Sequence, residues 1–207
     1  MLVNMIAIIN YQMGNLFSVA NKVSQLGFEA RVTSDPQDVA AAEKLILPGV
    51  GHFGRAMEEL NRLDLVGPLN TAVLEKKTPI LGICLGMQLM AAFSEEGDSK
   101  GLGWFEANVK RFVVDDSVSY KIPHTGWNGI ILEKESALTT GLGSGAEFYF
   151  VHSYFFEESC RSDRLMSTDF ETRFTSAVSK ENIYGVQFHP EKSHRSGVKL
   201  ISNFLKL

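Results

Sequence analysis

The strongest constraint on the fold lies in residues 78–90, T-P-I-L-G-I-C-L-G-M-Q-L-M. An apolar run from Pro79 to Ile83 reaches Cys84, and a helical pattern starts at Leu85. Gly82 and Gly86 stand two residues before and two after Cys84. That G-x-C-x-G spacing is the form of a nucleophile elbow, a sharp strand-to-helix turn that presents one reactive side chain. The turn crowds its neighbours, so the flanking positions must be nearly free of side chain, and glycine tolerates the backbone angles required. Cys84 would then stand at a helix N-terminus, where free N–H groups and the helix dipole favour a thiolate. The competing reading is a buried, inert cysteine at a strand end.

An elbow needs a sheet of parallel strands, and the first half of the chain has the pattern for one. Short apolar runs at 5–9, 28–32, 44–47 and 79–83 read as strands. Between them, 16–26 carries the 3.6-residue period of an amphipathic helix, with Gly27 as its stop. Residues 34–42 form a short helical piece with Ser34 or Asp35 as cap. A glycine-rich loop over 48–54 leads into a helix over 55–61. A further helix spans 63–76, interrupted at Gly67-Pro68, and the elbow helix runs to about Phe93. Alternating strand and helix with short loops means parallel strands with crossover helices.

The second half reads as strands at 104–114, 121–123, 130–133, 147–156, 164–170, 174–179 and 184–188, with a closing helix over 193–207. The expectation is one α/β domain over 1–207. It is a flavodoxin-like open mixed sheet, a parallel core flanked by helices with antiparallel strands added in the second half.

Composition excludes several classes of function. A net charge of −4 without a Lys/Arg run gives no case for a nucleic-acid partner. No apolar run approaches the roughly 20 residues that cross a bilayer. The N-terminus shows no leader pattern, and two cysteines are too few for a disulfide framework. A cytoplasmic, reduced setting suits a working thiol. No His/Cys spacing fits a metal site, and no phosphate-cradling glycine motif is present, so no cofactor is expected.

A cysteine nucleophile needs a base, and the base needs an orienter. His189 lies in F-H-P-E at the C-terminal end of the strand over 184–188, the sheet edge where the elbow also opens. Glu191, two residues on in a segment stiffened by Pro190, can lie on the same side and fix the imidazole tautomer. Cys84, His189 and Glu191 therefore form the candidate triad. In the plainer alternative His189 caps the sheet and Glu191 opens the last helix. Acyl transfer also needs an oxyanion hole. The backbone N–H of Leu85 follows from the elbow, and the N–H of Val50, freed by Gly49 and Gly51, is the second candidate. Gln88, one turn into the elbow helix, can read a polar head group. His124 and His152 follow strands. Trp127 and the aromatics 148–150 suit an interface, with core packing as the default. Cys160 lies in a polar loop with no base near it.

These motifs together resemble the class I glutamine amidotransferases. G-I-C-L-G-M-Q over 82–88 and G-V-Q-F-H-P-E over 185–191 are similar to that family's two defining motifs. G-N-L over 14–16, P-G-V-G over 48–51, G-W-N over 126–128, Y-F-V-H-S-Y over 149–154 and H-P-E-K-S over 189–193 resemble the glutaminase subunits of imidazole glycerol phosphate synthases. The resemblance runs in order from Met5 to Phe204.

It implies that Cys84 attacks the glutamine side-chain amide with His189 as base. The N–H groups of Leu85 and, after a peptide flip, Val50 hold the oxyanion. Gly49, Gly51, Gln88, Ser153 and Tyr154 bind glutamine. It also implies a heterodimer with a (β/α)8-barrel cyclase, which receives the ammonia across a face carrying Asn15, Trp127, Tyr149 and Lys192. Two departures lie on that face. Family members commonly carry Asp-Tyr-Gly where this chain has Asn10-Tyr11-Gln12, and His-Met-Gly-Trp-Asn where it has His124-Thr125-Gly126-Trp127-Asn128. They leave open a paralogous role, supplying ammonia to a surface-polysaccharide sugar amidotransferase. A catalytically silent interaction subunit is the remaining alternative, and the complete triad argues against it.

Overall fold

The computed structural model describes residues 5–207. The leader reading rests in part on residues 1–4, which lie outside the described residues.

The chain opens with β1 (Ile6–Ile9), α1 (Leu16–Gln25), β2 (Ala30–Thr33), α2 (Pro36–Ala41), β3 (Lys44–Gly49), α3 (Phe53–Arg62) and α4 (Val66–Asn70). It continues through β4 (Ile80–Cys84), α5 (Leu85–Gln88), β5 (Phe93–Ser94), β6 (Ser99–Lys100) and β7 (Ala107–Arg111). Then come β8 (His124–Gly129), β9 (Ile131–Leu132), β10 (Glu147–His152), β11 (Tyr154–Glu158), β12 (Arg164–Asp169), β13 (Arg173–Lys180), β14 (Ile183–Val186) and α6 (His194–Leu205).

The main sheet runs β2-β1-β3-β4-β14-β13-β11-β7-β5-β6, with β12 and β9 branching from β13. Strands β2, β1, β3, β4 and β14 are mutually parallel. From β13 outward the pairings turn antiparallel, except β5 beside β7. A separate antiparallel ribbon joins β8 to β10.

The parallel core is buried on both faces, which is why its strands read as unbroken apolar runs. Ala7, Ile9, Leu45, Leu47 and Ile80 face one core with Phe53, Leu60 and Leu85. Ile6, Ile8, Ile46, Leu81 and Ile83 face the other, with Phe148, Phe150, Phe188 and Phe204. Asp35 caps α2 by accepting from the Gln37 N–H at 2.8 Å. Gly27 ends α1 at φ +83°, and the Phe28 N–H returns to the Val23 carbonyl, so β2 starts later than the apolar run.

Four expectations change. The elbow helix stops at Gln88 instead of Phe93. The carbonyls of Leu89, Met90, Ala91 and Ala92 accept from the N–H groups of residues 101–105, and that loop ends the helix. Gly67-Pro68 does not interrupt a long helix. It lies in the first turn of α4, where proline's missing N–H costs nothing, and the chain runs on as a π-turn over Thr71–Glu75. Residues 121–123 are not a strand. The apolar run over 147–156 is two strands, one in the ribbon and one in the main sheet, broken at Ser153. Among the described residues no helix is long and apolar enough to cross a membrane.

Candidate active site

The C-terminal ends of β3, β4 and β14 meet at one edge of the sheet. There Cys84 holds φ +54° and ψ −110°, a sparsely populated conformation for a residue with a side chain. Its neighbours show why glycine flanks it. A Cβ on Gly86 would lie 1.7 Å from the Leu47 carbonyl oxygen, and one on Gly82 would lie 2.7 Å from the Gly86 oxygen. The backbone is as crowded as an elbow requires. Helix α5 has only four residues, so the dipole expected to favour a thiolate is short.

A cavity of about 280 Å³ opens over Cys84. Val50, Gly51, Leu85, Gln88, Ser153, Tyr154 and His189 line it, together with Glu96, Pro123, Val151 and His152. The break at Ser153 is what turns Ser153 and Tyr154 toward it. Gly49 pairs with Cys84 across β3 and β4 and lies behind the wall. A Cβ there would meet the Tyr11 hydroxyl at 2.1 Å. Gly51 has φ +108° and Val50 is half-exposed, so this turn is shaped by glycine on the cavity side.

His189 is buried, and its Nδ1 lies 2.9 Å from Glu191 Oε1. Its backbone is fixed from β10: the His189 N–H donates to the Tyr149 carbonyl, and Ser193 Oγ donates to the His189 carbonyl at 2.6 Å. The other ring nitrogen, Nε2, is buried without an aligned hydrogen-bond partner. Burial opposes charge on the ring, but the neighbouring Cys84 sulfur and the Glu191 carboxylate outweigh it and raise the pKa, so the neutral ring readily takes the thiol proton at Nε2. A base oriented at Nδ1 and free at Nε2 beside a thiol is the constellation for nucleophilic acyl transfer.

Two polar site residues, Gln187 and Glu96, escaped the sequence reading. Gln187 is completely buried, with Nε2 3.7 Å from Cys84 Sγ and Oε1 accepting from Gln88 Nε2 at 2.9 Å. The period-two pattern that pairs His189 with Glu191 extends back to Gln187, so the signal was present. Glu96 Oε2 accepts from the Phe53 N–H at 2.8 Å while its side chain lines the cavity.

His124 and His152 do not follow strands; they are paired residues at the ends of β8 and β10, with Nδ1 of His124 3.0 Å from Nε2 of His152. His152 Nδ1 lies 2.8 Å from the Tyr154 carbonyl, which can only accept. The protons therefore run one way, from His124 to His152 to Tyr154. Burial depresses the pKa of His124 to about 4 and of His152 to about 3.

Both rings are therefore neutral in the folded chain at pH 5–7, whereas in the unfolded chain they protonate near 6.5. Stability is lost as pH falls below 6.5, because the unfolded chain then binds protons that the fold refuses. Each histidine contributes a slope of roughly 1 kcal/mol per pH unit. His124→Gln is expected to reduce the loss of urea stability between pH 6.5 and 5 by about that amount; an unchanged slope contradicts the neutral pair.

Trp127, Tyr149 and Lys192 form one surface cluster. The Trp127 ring is 6.1 Å from Tyr149 and stacks on His194 at 4.8 Å, and Lys192 Nζ stands 5.9 Å from the Tyr149 ring centre. Asn15 precedes α1, which packs against the segment Pro190–Lys192. Phe148 and Phe150 are core residues, as expected by default. Cys160 is exposed, with Ser162 Oγ at 2.9 Å. A larger groove of about 1220 Å³ lies between α1, the ribbon and α6, and no cysteine lines it.

The profile of the family "Glutamine amidotransferase class-I" matches residues 7–207. The imidazole glycerol phosphate synthase subunit HisH 2 of Methanococcus maripaludis is 50% identical over 202 residues, spanning 98% of this chain and 99% of that one. The subunit HisH of Leptospira borgpetersenii is 44% identical over 204 residues, with 98% and 100% covered. Among solved structures, PurLQS from Thermotoga maritima superposes with a TM-score of 0.75 at 18% identity, covering 98% of this chain and 97% of that one. A glutamine amidotransferase crystal structure gives 0.74 at 18% identity, covering 97% of each chain. With an elbow cysteine, a buried His–Glu pair and a profile match over nearly all its length, the chain belongs to the class I glutamine amidotransferases.

Proposed function

We propose that the chain is the glutaminase subunit of an imidazole glycerol phosphate synthase in histidine biosynthesis, working in the cytoplasm. The observation that carries the chemistry is Cys84, held in a strained turn and sharing one small cavity with the His189–Glu191 pair.

His189 Nε2 takes the thiol proton, and the sulfur attacks the amide carbon of glutamine. The N–H groups of Leu85 and Val50 receive the oxyanion, Val50 once its peptide turns toward the cavity. His189 returns the proton to the leaving nitrogen, and ammonia departs. Water, deprotonated by His189, then opens the thioester to give glutamate. Glu191 keeps the imidazole in the tautomer with Nε2 free and stabilises the imidazolium between the two proton transfers. Gly51, Gln88, Ser153 and Tyr154 hold glutamine on the cavity wall, and Gly49 supports the turn beneath Val50.

Ammonia passes to a (β/α)8-barrel cyclase docked on Asn15, Trp127, Tyr149 and Lys192. There it completes imidazole glycerol phosphate and releases an aminoimidazole carboxamide ribotide.

Glu96 supplies the one carboxylate on the cavity wall, and it suits the α-ammonium of an amino acid. Glu96→Gln is expected to raise KM for glutamine about tenfold, with kcat nearly unchanged, since a charge-assisted hydrogen bond to the ground state is lost. An unchanged KM places the ammonium elsewhere.

The test of the whole assignment is affinity capture of the chain with its partner, followed by ammonia release from glutamine with and without that partner. Capture of a barrel cyclase, with weak hydrolysis by the isolated chain and strong hydrolysis by the pair, is the expected result. Capture of a sugar amidotransferase instead overturns the partner and leaves the glutaminase standing.

A further inference from the structure

We propose that Gln187 is a further catalytic group: its side-chain amide donates to the sulfur of Cys84 and favours the thiolate that attacks. The proposal rests on the reading of Cys84 as nucleophile.

The orientation of the amide is decided by its neighbours. Gln88 Nε2 donates to the Tyr154 carbonyl at 3.0 Å and to Gln187 Oε1 at 2.9 Å. A primary amide has two N–H bonds, so both of Gln88's are used. Only an oxygen on Gln187 can meet the second. Turning Gln187 over would set two NH2 groups against each other in a buried site. Its Nε2 therefore points at Sγ, 3.7 Å away. Its own backbone is pinned by the Gln187 N–H donating to the Ser176 carbonyl at 2.9 Å, so the side chain starts from a fixed point in the sheet.

The sulfur has few other donors. The Val151 carbonyl, 4.0 Å from Sγ, can accept the thiol proton and can do nothing for a thiolate. Helix α5 is too short to supply much dipole. When the proton moves from Sγ to His189 Nε2, the new anion lies in a buried site where an N–H donor counts for more than in water. Gln187 supplies one, and being uncharged it does not compete with the sulfur for His189. Residues 187 and 189 lie two apart on an extended segment, so the donor and the base reach the sulfur from the same side.

The experiment uses the full chain carrying Cys160→Ser, which removes the exposed thiol, and follows the rate of iodoacetamide alkylation against pH. The expected result is that Gln187→Met, which keeps the length and loses the N–H, moves the midpoint of that profile up by about one pH unit. The glutaminase rate of the variant falls about tenfold at neutral pH in parallel. A folded Gln187→Met protein with the unshifted profile overturns the proposal.

A second measurement needs no variant at position 187. In the ¹⁵N-labelled chain, the side-chain amide protons of Gln187 are expected to move downfield with the same midpoint as the thiolate absorbance near 240 nm; no movement overturns it. Failure of the underlying reading looks different: iodoacetamide then leaves Cys84 unmodified at every pH, whatever stands at position 187.

Discussion

Cys84→Ala is expected to abolish glutamine-driven synthesis by the assembled complex, by at least about 1000-fold, while synthesis from added ammonium salt stays at the wild-type level. The size follows from the chemistry: without the sulfur no thioester forms, and a bare oxyanion hole accounts for only a small part of acyl-transfer catalysis. The selectivity follows from the structure. Only the release of ammonia passes through Cys84, and a partner supplied with free ammonia bypasses it.

The fold is expected to survive. Cys84 is 7% exposed, its sulfur faces the cavity, and alanine loses just that atom. Alanine does keep the strained backbone at φ +54°, so the strain itself is unchanged. Thermal unfolding of the variant should match the parent within a few degrees. Glutamine hydrolysis retained by the purified Cys84→Ala complex sinks the assignment. Loss of both glutamine- and ammonia-driven synthesis would point to a broken complex instead of a missing nucleophile.

The parallel half of the fold was legible because its strands are buried on two faces and its helices on one, and both patterns survive in a local window. The runs at β1, β3 and β4 needed no knowledge of their neighbours. The rest depended on neighbours. Strands β5 and β6 have two residues each and no period to detect. Strand β8, H-T-G-W-N-G, exists because it pairs with β10, and its Gly126 sits at φ +136°. The end of α5 is set by residues 101–105, which no pattern at 85–93 contains.

The site divides the same way. Cys84, His189 and Glu191 carry short local motifs, and the family resemblance joined them. Gln187 meets Cys84 across a sequence separation of 103 residues, and His124 meets His152 across 28. Glu96 reaches the cavity because its carboxylate caps the Phe53 N–H at the start of α3. Contacts of that kind are created by the fold, so they follow it.

Gly86→Ala is expected to be the most destabilising small substitution in the chain, costing about 3 kcal/mol or more of a total that for natural domains is about 5–15 kcal/mol. The added Cβ would sit 1.7 Å from the Leu47 carbonyl oxygen and 2.8 Å from its carbon. Both atoms are backbone of β3. That strand cannot retreat, because β1 is bonded to its far side. Nor can α5 lift away. The carbonyls just beyond it are held by residues 101–105, and Leu85 and Met87 are buried in the core.

Gly82→Ala should cost less, since one of its near contacts is the flexible end of Met90, at 2.6 Å, although the Gly86 oxygen at 2.7 Å is not free to move. Gly143→Ala, with nothing within 4 Å, should fall within about 0.5 kcal/mol of the parent. Urea midpoints of the three variants are expected in that order, with Gly86→Ala yielding little soluble protein. A Gly86→Ala midpoint equal to that of Gly143→Ala would mean that α5 can move off β3. In that case the register that sets Gly49 opposite Cys84, and with it Val50 and Leu85 around one cavity, is not held by this contact. If the predicted order holds, the second glycine of the elbow is required by packing against β3, and the reactive geometry at Cys84 depends on that packing.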